Sequence, residues 1–428
     1  MYRGIIFGVL TLCAAAAAAQ QPAVHTQPDS LTITRQQAID LALSQNPQLR
    51  AAGEQVAEAR ARVVQARAIP DPALTATIVG QPGLLRPSNA TEHDYGLGLT
   101  IPFPDRIRLK GDVAAADVQS ARFSTEQLRQ QVASQTSQTY DSLLVALRNE
   151  DDFQRARSLA QEFLTRTEAR FTAGTAPRLD VIKAKVDLAQ AQNQVIAGER
   201  DIANARAALN RLMGRLLDAP LTPAESLSIP DSLPSIEPLE ARALQTRPEL
   251  RGLAAERAGA SAGTTLAKEF WLPDFTIAVT RLAVTRTAPT YDTGIGVSFP
   301  IFFWQHTGGE VAESRHRELE LAATDRDLRA QVGQEVRAAY TNAATALLQA
   351  RYLRDELLPE AERAYQIASK SYALGGSSAL EVLDARRTLL DAATQYTAAL
   401  GAANDAIARL QLATGARVGT ATHGGVDE

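Results

Sequence analysis

The side chains best placed to do chemistry in this sequence are acidic. Glu381 and Asp384 stand three residues apart, and Asp180 occupies the place matching Glu381 in an earlier stretch. Residues three apart share one face of a helix. Crowded carboxylates favour cations and repel anions; at a helix start they also steady the positive end of the helix dipole. The histidines, His25, His93, His306, His316 and His423, are scattered. There is no HExxH, no zinc-ligand cluster and no phosphate-binding glycine loop, so no enzyme signature and no call for a metal or cofactor. Glu92-His93-Asp94 is the one tripeptide that suggests an ion site. It reads as part of a solvated loop, because three adjacent residues rarely converge on one ion.

The acidic residues sit in two related stretches. FTAGTAPRLDVIKAK, residues 171 to 185, is echoed 201 residues later by YALGGSSALEVLDAR, residues 372 to 386. Gly174 matches Gly375, Leu179 matches Leu380, and Val181 matches Val382. Each stretch is a glycine-bearing turn between long apolar-periodic runs, hence the tip of a helical hairpin. The duplication extends outward. Asn46-Pro47-Gln48-Leu49-Arg50 returns as Arg247-Pro248-Glu249-Leu250-Arg251, and Ile69-Pro70-Asp71 as Leu272-Pro273-Asp274. Turns, strand pairs and helix ends that recur together mark a true repeat.

Composition narrows the class. Apolar residues make up 45% of the 428 but aromatics only 5%, so Ala and Leu carry the core, as in closely packed helices. A net charge of -4 gives no electrostatic reason for a nucleic-acid partner. Residues 1–19 read as a secretory signal, with Arg3, an apolar run and Ala17-Ala18-Ala19 before the cut. Lipidation at Cys13, the only cysteine, is the alternative, against which the Leu12 that precedes it argues. Beyond residue 19 no apolar run is long enough for a transmembrane helix, so a spanning form would need strands closed into a barrel.

Taken in order, residues 20–31 are polar and expected to be flexible. The first repeat occupies 32–216. Thr34 and Gln37 make a capping box. A short helix runs to Gln45 and a second from about Pro47 to Ala68. Strands follow at about 73–81 and 94–103, separated by a loop. A helix from about Arg106 to Phe171, roughly 100 Å long, turns at 172–178 into another covering about 178–213. Residues 217–238, with five prolines, form a connector. The second repeat, 239–415, has strands at about 274–284 and 291–301, a helix at about 309–372 that Pro359 should kink, a tip at 373–379 and a last helix at about 379–413. Gly415 ends that helix as Gly214 ends its counterpart. Residues 416–428 are expected to be unstructured.

Both final helices carry heptads, which imply left-handed supercoiling. In one, Val181, Leu188, Val195, Ile202 and Leu209 alternate with Ala184, Ala191, Gly198 and Ala205; in the other, Val382, Leu389, Tyr396, Ala403 and Leu410 alternate with Ala385, Ala392, Ala399 and Ala406. An ordinary antiparallel coiled coil explains this, as does a tube walled by helix pairs. The strands discriminate. Leu97, Leu99 and Ile101 alternate with Gly98, Thr100 and Pro102; Ile295, Val297 and Phe299 alternate with Gly294, Gly296 and Ser298. One face is apolar and one small or polar, over a length that crosses a bilayer. Four such strands cannot close a barrel alone, but several chains could.

With its duplicated hairpins, its strand pairs, and Tyr372, Gly375 and Glu381-Val382-Leu383-Asp384 at the second tip, the chain resembles the outer-membrane efflux protein family, the TolC-type channels. Asn46-Pro47-Gln48-Leu49 and the segment ending at Pro72 look most like the heavy-metal-efflux branch. The resemblance spans about residues 31–415. It implies a mainly α fold with a small β part: a homotrimer whose twelve pooled strands form an outer-membrane barrel, continued by a helical tunnel into the periplasm. It implies docking, through tips at Gly174 and Gly375, on a periplasmic adaptor and through it on an inner-membrane pump. It makes Glu381 and Asp384 an acidic ring at the periplasmic aperture, Asp180 and Tyr372 an aperture latch, and Leu97, Leu99, Ile101, Ile295, Val297 and Phe299 lipid-facing. Where some relatives have Arg after the second tip glycine, this chain has Gly376-Ser377, and so lacks the residue on which one form of latch depends.

The expected function is therefore a passive exit duct of a tripartite efflux system, carrying heavy-metal cations. Drug efflux and type I secretion are alternatives. A soluble coiled-coil adaptor is a further one, although an adaptor would show one hairpin flanked by lipoyl-like β domains.

Overall fold

The structure is a computed structural model that describes residues 31–80, 90–284 and 288–415. The signal sequence with Cys13, most of the segment 20–31, the tail 416–428, His25 and His423 lie outside the described residues.

Each repeat begins with two short helices. In the first they are α1 (Arg35–Gln45) and α2 (Pro47–Ala66). Thr34 and Gln37 form the reciprocal capping box, the Thr34 hydroxyl accepting from the Gln37 N–H and the Gln37 side chain accepting from the Thr34 N–H. Two strands follow, β2 (Ala73–Val79) and β3 (Glu92–Ile101), then the 69-residue helix α3 (Pro104–Thr172) and α4 (Arg178–Leu212). The second repeat holds α5 (Ile236–Thr246), α6 (Pro248–Lys268), β5 (Asp274–Leu282), β6 (Thr290–Ser298), α7 (Phe303–Tyr352), α8 (Leu358–Ala373) and α9 (Ala379–Thr414). No described helix is long and apolar enough to cross a membrane.

Four differences from the sequence reading have physical causes. The start of the first repeat, with Leu31 from the segment expected to be flexible, pairs with the expected connector in a two-stranded parallel sheet of β1 (Leu31–Ile33) and β4 (Leu221–Pro223). Its apolar side is buried and its backbone engaged: Ala224 N–H donates to Ile33 O at 2.9 Å, and the buried Tyr140 hydroxyl to the same oxygen at 3.0 Å. Glu92-His93-Asp94 is strand rather than loop, since β2 supplies its ladder partners down to Val79↔Glu92. Strand neighbours point to opposite faces, so His93 points away from Glu92 and Asp94.

The third difference lies at the strand ends. They stop at Ile101 and Ser298, just before Pro102 and near Pro300, which have no N–H for the ladder. Phe103 becomes the helix N-cap residue and Phe299 lies one residue past β6. The fourth lies in the third long helix, which meets Pro359 through a π-helical segment, Leu353–Leu357, rather than a simple break. Its wider hydrogen-bonding ring takes up an extra residue, and both a proline and a π-helical turn are causes of helix kinks.

The four long strands make one antiparallel sheet in the order β2-β3-β5-β6. Its cross-strand rows include Leu74, Leu97 and Val279; Leu99, Ile277 and Ile295; and Ile101, Phe275 and Val297. All belong to one apolar face, while Thr75, Gly96, Thr280 and the rest of the alternating set form the other. The helical core has three parts. One joins α1, α3 and α4 with β1 and β4, a second joins α5, α6, α7 and α9, and a third lies near the tips, where both hairpins meet.

Candidate functional site at the hairpin tips

The two tips are the same turn made twice. Gly174 and Gly375 adopt φ of +75° and +86°, which a side chain would strain. Thr175 N–H donates to Arg170 O at 2.9 Å, and Gly376 N–H to Ser371 O at 2.9 Å, closing the Schellman loop that ends α3 and α8. The next helix starts at once in both copies. At the second tip Ser378 and Glu381 cap α9 reciprocally, the Glu381 carboxylate accepting from Ser378 N–H at 3.2 Å. Part of the hydrogen-bonding capacity of Glu381 is therefore spent on its own helix. Asp384 is exposed, one turn further on.

Tyr372 is buried where the hairpins meet. Its ring lies 5.3 Å from that of Phe163, and its hydroxyl donates to Thr167 Oγ1 at 3.3 Å. Arg170 stacks its guanidinium 4.5 Å from the ring centroid and donates to Tyr372 O and, at 3.3 Å, to Thr175 O. Arg170 thus clamps both tips at once. Asp180 lies half-buried in the first turn of α4 and makes no side-chain hydrogen bond or ion pair among the described residues. Within one chain the structure does not bring Asp180 and Tyr372 together; the side-chain partners of Tyr372 are Thr167, Arg170 and Phe163.

Above the tips, α4 and α9 flank a groove of about 800 Å³. Asp384, Asp391, Lys183 and Arg387 line it, and Ile182 and Leu383 add apolar patches. The buried pair Asp187 and Arg386 joins α4 to α9, and Arg386 Nη1 also reaches Ala156 O of α3 at 3.4 Å. About three turns further along α9, the Thr397 hydroxyl donates to Asp152 Oδ2 at 3.2 Å. Burial pushes the Asp152 carboxyl above the ordinary carboxylate range, against the pull of Arg148 and Arg155. Asp187, Arg386 and Asp152 escaped the sequence reading because a lone charge beside the apolar positions of a helix looks like part of a solvated face until its partner is known. Arg170 carried one signal, its place in the last turn before Gly174.

On the four-stranded sheet, Leu97, Val297 and Ile295 stand exposed on the apolar face, and Leu99 and Ile101 are half-buried by neighbouring strands. Phe299 is exposed beyond the ladder. Among the described residues no group of three or more His, Cys, Asp or Glu could hold a metal ion.

Comparison with known proteins places these features in a family. The family model described as outer membrane efflux protein matches the chain twice, over residues 38–215 and 239–416. The cobalt-zinc-cadmium resistance protein CzcC of Cupriavidus metallidurans is 25% identical over 375 residues, 86% of this chain and 87% of that one. The pyoverdine export outer membrane protein OpmQ of Pseudomonas aeruginosa is 27% identical over 268 residues, 60% of this chain and 54% of that protein. Among solved structures, the outer-membrane channel OprN aligns with a TM-score of 0.75 at 21% identity, covering 96% of this chain and 98% of that one. CusC aligns at 0.74 with 19% identity, covering 90% and 93%, and the CmeC channel of Campylobacter jejuni at 0.75 with 18%, covering 96% and 94%.

Proposed function

The chain belongs to the outer membrane efflux protein family, and on that footing we propose that three copies form one passive exit duct for heavy-metal cations. The family and fold are those of channels rather than enzymes. Each copy would contribute β2, β3, β5 and β6 to a twelve-stranded barrel, with Leu97, Leu99, Ile101, Ile295, Val297 and Phe299 toward lipid. The paired long helices would wall a tunnel into the periplasm. The observation that carries this reading is the four-stranded sheet: apolar on one face, open at both edges, and followed almost at once by helices about 100 Å long.

The turns at Gly174 and Gly375 would dock on a periplasmic adaptor, which couples the duct to an inner-membrane pump. Both present exposed apolar side chains, Phe171 and Leu179 at one and Leu374 and Leu380 at the other. Glu381 and Asp384, repeated in three copies, would ring the aperture and favour cations. Asp384 is the stronger member, because Glu381 also caps its helix. Asp180 and Tyr372 would contribute to an aperture latch only across a contact between copies.

Metal cargo is supported by the relative that covers most of this chain, a cobalt-zinc-cadmium resistance protein. Deleting the protein from its host and measuring zinc, cobalt, copper and drug sensitivity tests the cargo. Lost metal tolerance is expected. Unchanged metal tolerance with altered drug or siderophore export would overturn the metal reading and leave the duct. Purification as a water-soluble monomer without detergent would overturn the duct itself.

A further inference from the structure

Arg281 is the only lysine or arginine in the four long strands. It stands on β5 two residues beyond Val279, so it belongs to the apolar face. Its side chain makes no hydrogen bond or ion pair among the described residues. The acids at this end of the sheet lie on the other face. Glu92, Asp94 and Asp292 have Val79, Thr77 and Thr280 as ladder partners, all of the polar set. Two tyrosines flank the arginine instead. Tyr95 of β3 and Tyr291 of β6 are its direct ladder partners, and they are 52% and 68% exposed. Directly opposite residues on neighbouring strands hold their Cβ atoms about 4.5–5.5 Å apart. Tyr95, Arg281 and Tyr291 therefore form one unbroken row across three strands.

The row has a definite depth. Phe299, exposed at the opposite end of the same face, lies eight residues along the chain from Tyr291. Eight residues of strand rise about 27 Å, or about 21 Å when tilted by roughly 40°. That nearly spans the apolar band of a membrane barrel, about 25 Å tall between its two aromatic girdles. The rows in between, from Leu74, Leu97 and Val279 to Ile101, Phe275 and Val297, carry no charge. The long helices leave from the Phe299 end. The row of Tyr95, Arg281 and Tyr291 therefore marks the outer interface. An arginine on the lipid face is costly at the middle of a bilayer and nearly free at its surface.

We propose that Tyr95, Arg281 and Tyr291 hold a phosphate of a phosphorylated glycolipid in the outer leaflet of the membrane. This rests on the reading that the apolar face of the sheet meets lipid, and it assigns that face one headgroup chemistry. The guanidinium offers a planar fork of N–H donors that matches two phosphate oxygens. The tyrosine hydroxyls can donate to the same group, and their rings suit the level where acyl chain gives way to headgroup. An aromatic girdle alone explains the tyrosines. It does not explain a cation set directly between them, with every nearby acid turned to the other face. An anionic headgroup supplies the missing counter-charge.

Native mass spectrometry of the full-length protein, extracted from its outer membrane in detergent and stripped of lipid, tests the site. The probes are a bisphosphorylated glycolipid, the same glycolipid with its phosphates removed, and phosphatidylglycerol. The parent chain should bind the phosphorylated glycolipid several-fold more tightly than either of the others. Arg281→Gln should lose most of that preference. Arg281→Lys, which keeps the charge without the fork, should lose less. Tyr95→Phe and Tyr291→Phe, which remove only a hydroxyl, should each weaken it without altering thermal unfolding, so the test survives an Arg281 variant that folds poorly. Equal binding of the dephosphorylated glycolipid, or an unaltered preference in Arg281→Gln, overturns the site. Equal binding of phosphatidylglycerol overturns the glycolipid as its occupant. Each of these results leaves the duct standing, whereas a monomer soluble without detergent overturns the duct and the site with it.

Discussion

Arg247 does for the last helix of the second repeat what Asn46 does for that of the first. Asn46 Nδ2 donates to Leu212 O at 3.0 Å, and Arg247 Nη1 donates to Ala413 O at 3.2 Å. Each residue precedes the proline that opens a short helix, and each satisfies a carbonyl at the end of a long one. The amide also caps its own helix through Gln48 N–H at 2.8 Å, whereas the guanidinium pairs with Glu249 and Glu335. One task is kept and its chemistry changed.

Removing these side chains should loosen the joint between the short and long helices. Asn46→Ala loses two hydrogen bonds and should cost about 1–2 kcal/mol. Arg247→Ala also strands two carboxylates and should cost about 2–4 kcal/mol. Thermal unfolding in detergent should show both losses, with Arg247→Ala the larger. Melting temperatures unchanged from that of the parent chain would contradict the shared role.

Asp141 should make the chain less stable as pH rises from 4 to 7. Burial lifts its carboxyl from an ordinary 3.8 to about 6, although Arg35 pulls the other way. The folded chain then holds a proton that the unfolded chain releases, so the native state is favoured at low pH. That advantage is lost as pH climbs through about 6. The loss is on the order of 2–3 kcal/mol, and Asp141→Asn should flatten it. Unfolding midpoints of both proteins across this range decide the matter; parallel profiles would count against it.

The clamp at the tips predicts a local effect. Arg170→Ala removes two carbonyl contacts and the stacking on Tyr372. It should raise amide exchange around residues 170–180 and 370–380 by an opening free energy of about 2–3 kcal/mol, with little change in α1, α2, α5 and α6. Tyr372→Phe, which loses only the bond to Thr167, should cost about 1 kcal/mol. Uniform exchange changes along the whole chain would argue against a local clamp.

The bridge between α4 and α9 should behave as a buried ion pair. Arg386→Ala leaves Asp187 buried alone and should cost about 3–5 kcal/mol. The double change Asp187→Leu with Arg386→Met should recover most of that, because two apolar groups bury without an orphaned charge. A double variant no more stable than Arg386→Ala would show that the bridge orders the tips in some other way.

Single-channel recording separates the two acidic residues proposed for the aperture. Asp384→Asn should reduce preference for cations over anions several-fold. Glu381→Gln should reduce it less, and should also cost about 0.5–1 kcal/mol of tip stability through its weakened cap. Selectivity unchanged in both would remove the acidic ring from the mechanism.

Much of the architecture is written in contiguous residues. The paired glycine turns, the change from helical to strand period and the repeated helix ends each depend on a few neighbouring side chains. So the two hairpins, the four long strands and the glycine turns at the tips were legible. The apolar face was also legible, since alternation is a property of the strand itself.

What the sequence by itself determined was the repeat, its elements and the class of molecule they build. Tertiary structure alone decided which distant groups meet. It joined β1 to β4, laid Arg170 on Tyr372, set Arg386 against Asp187, and gave Glu381 a capping task beside any role in the aperture. The reason is physical. A turn or a period is set by bonds a few residues long, whereas a buried charge can find its counter-charge only after the helices that carry both have packed.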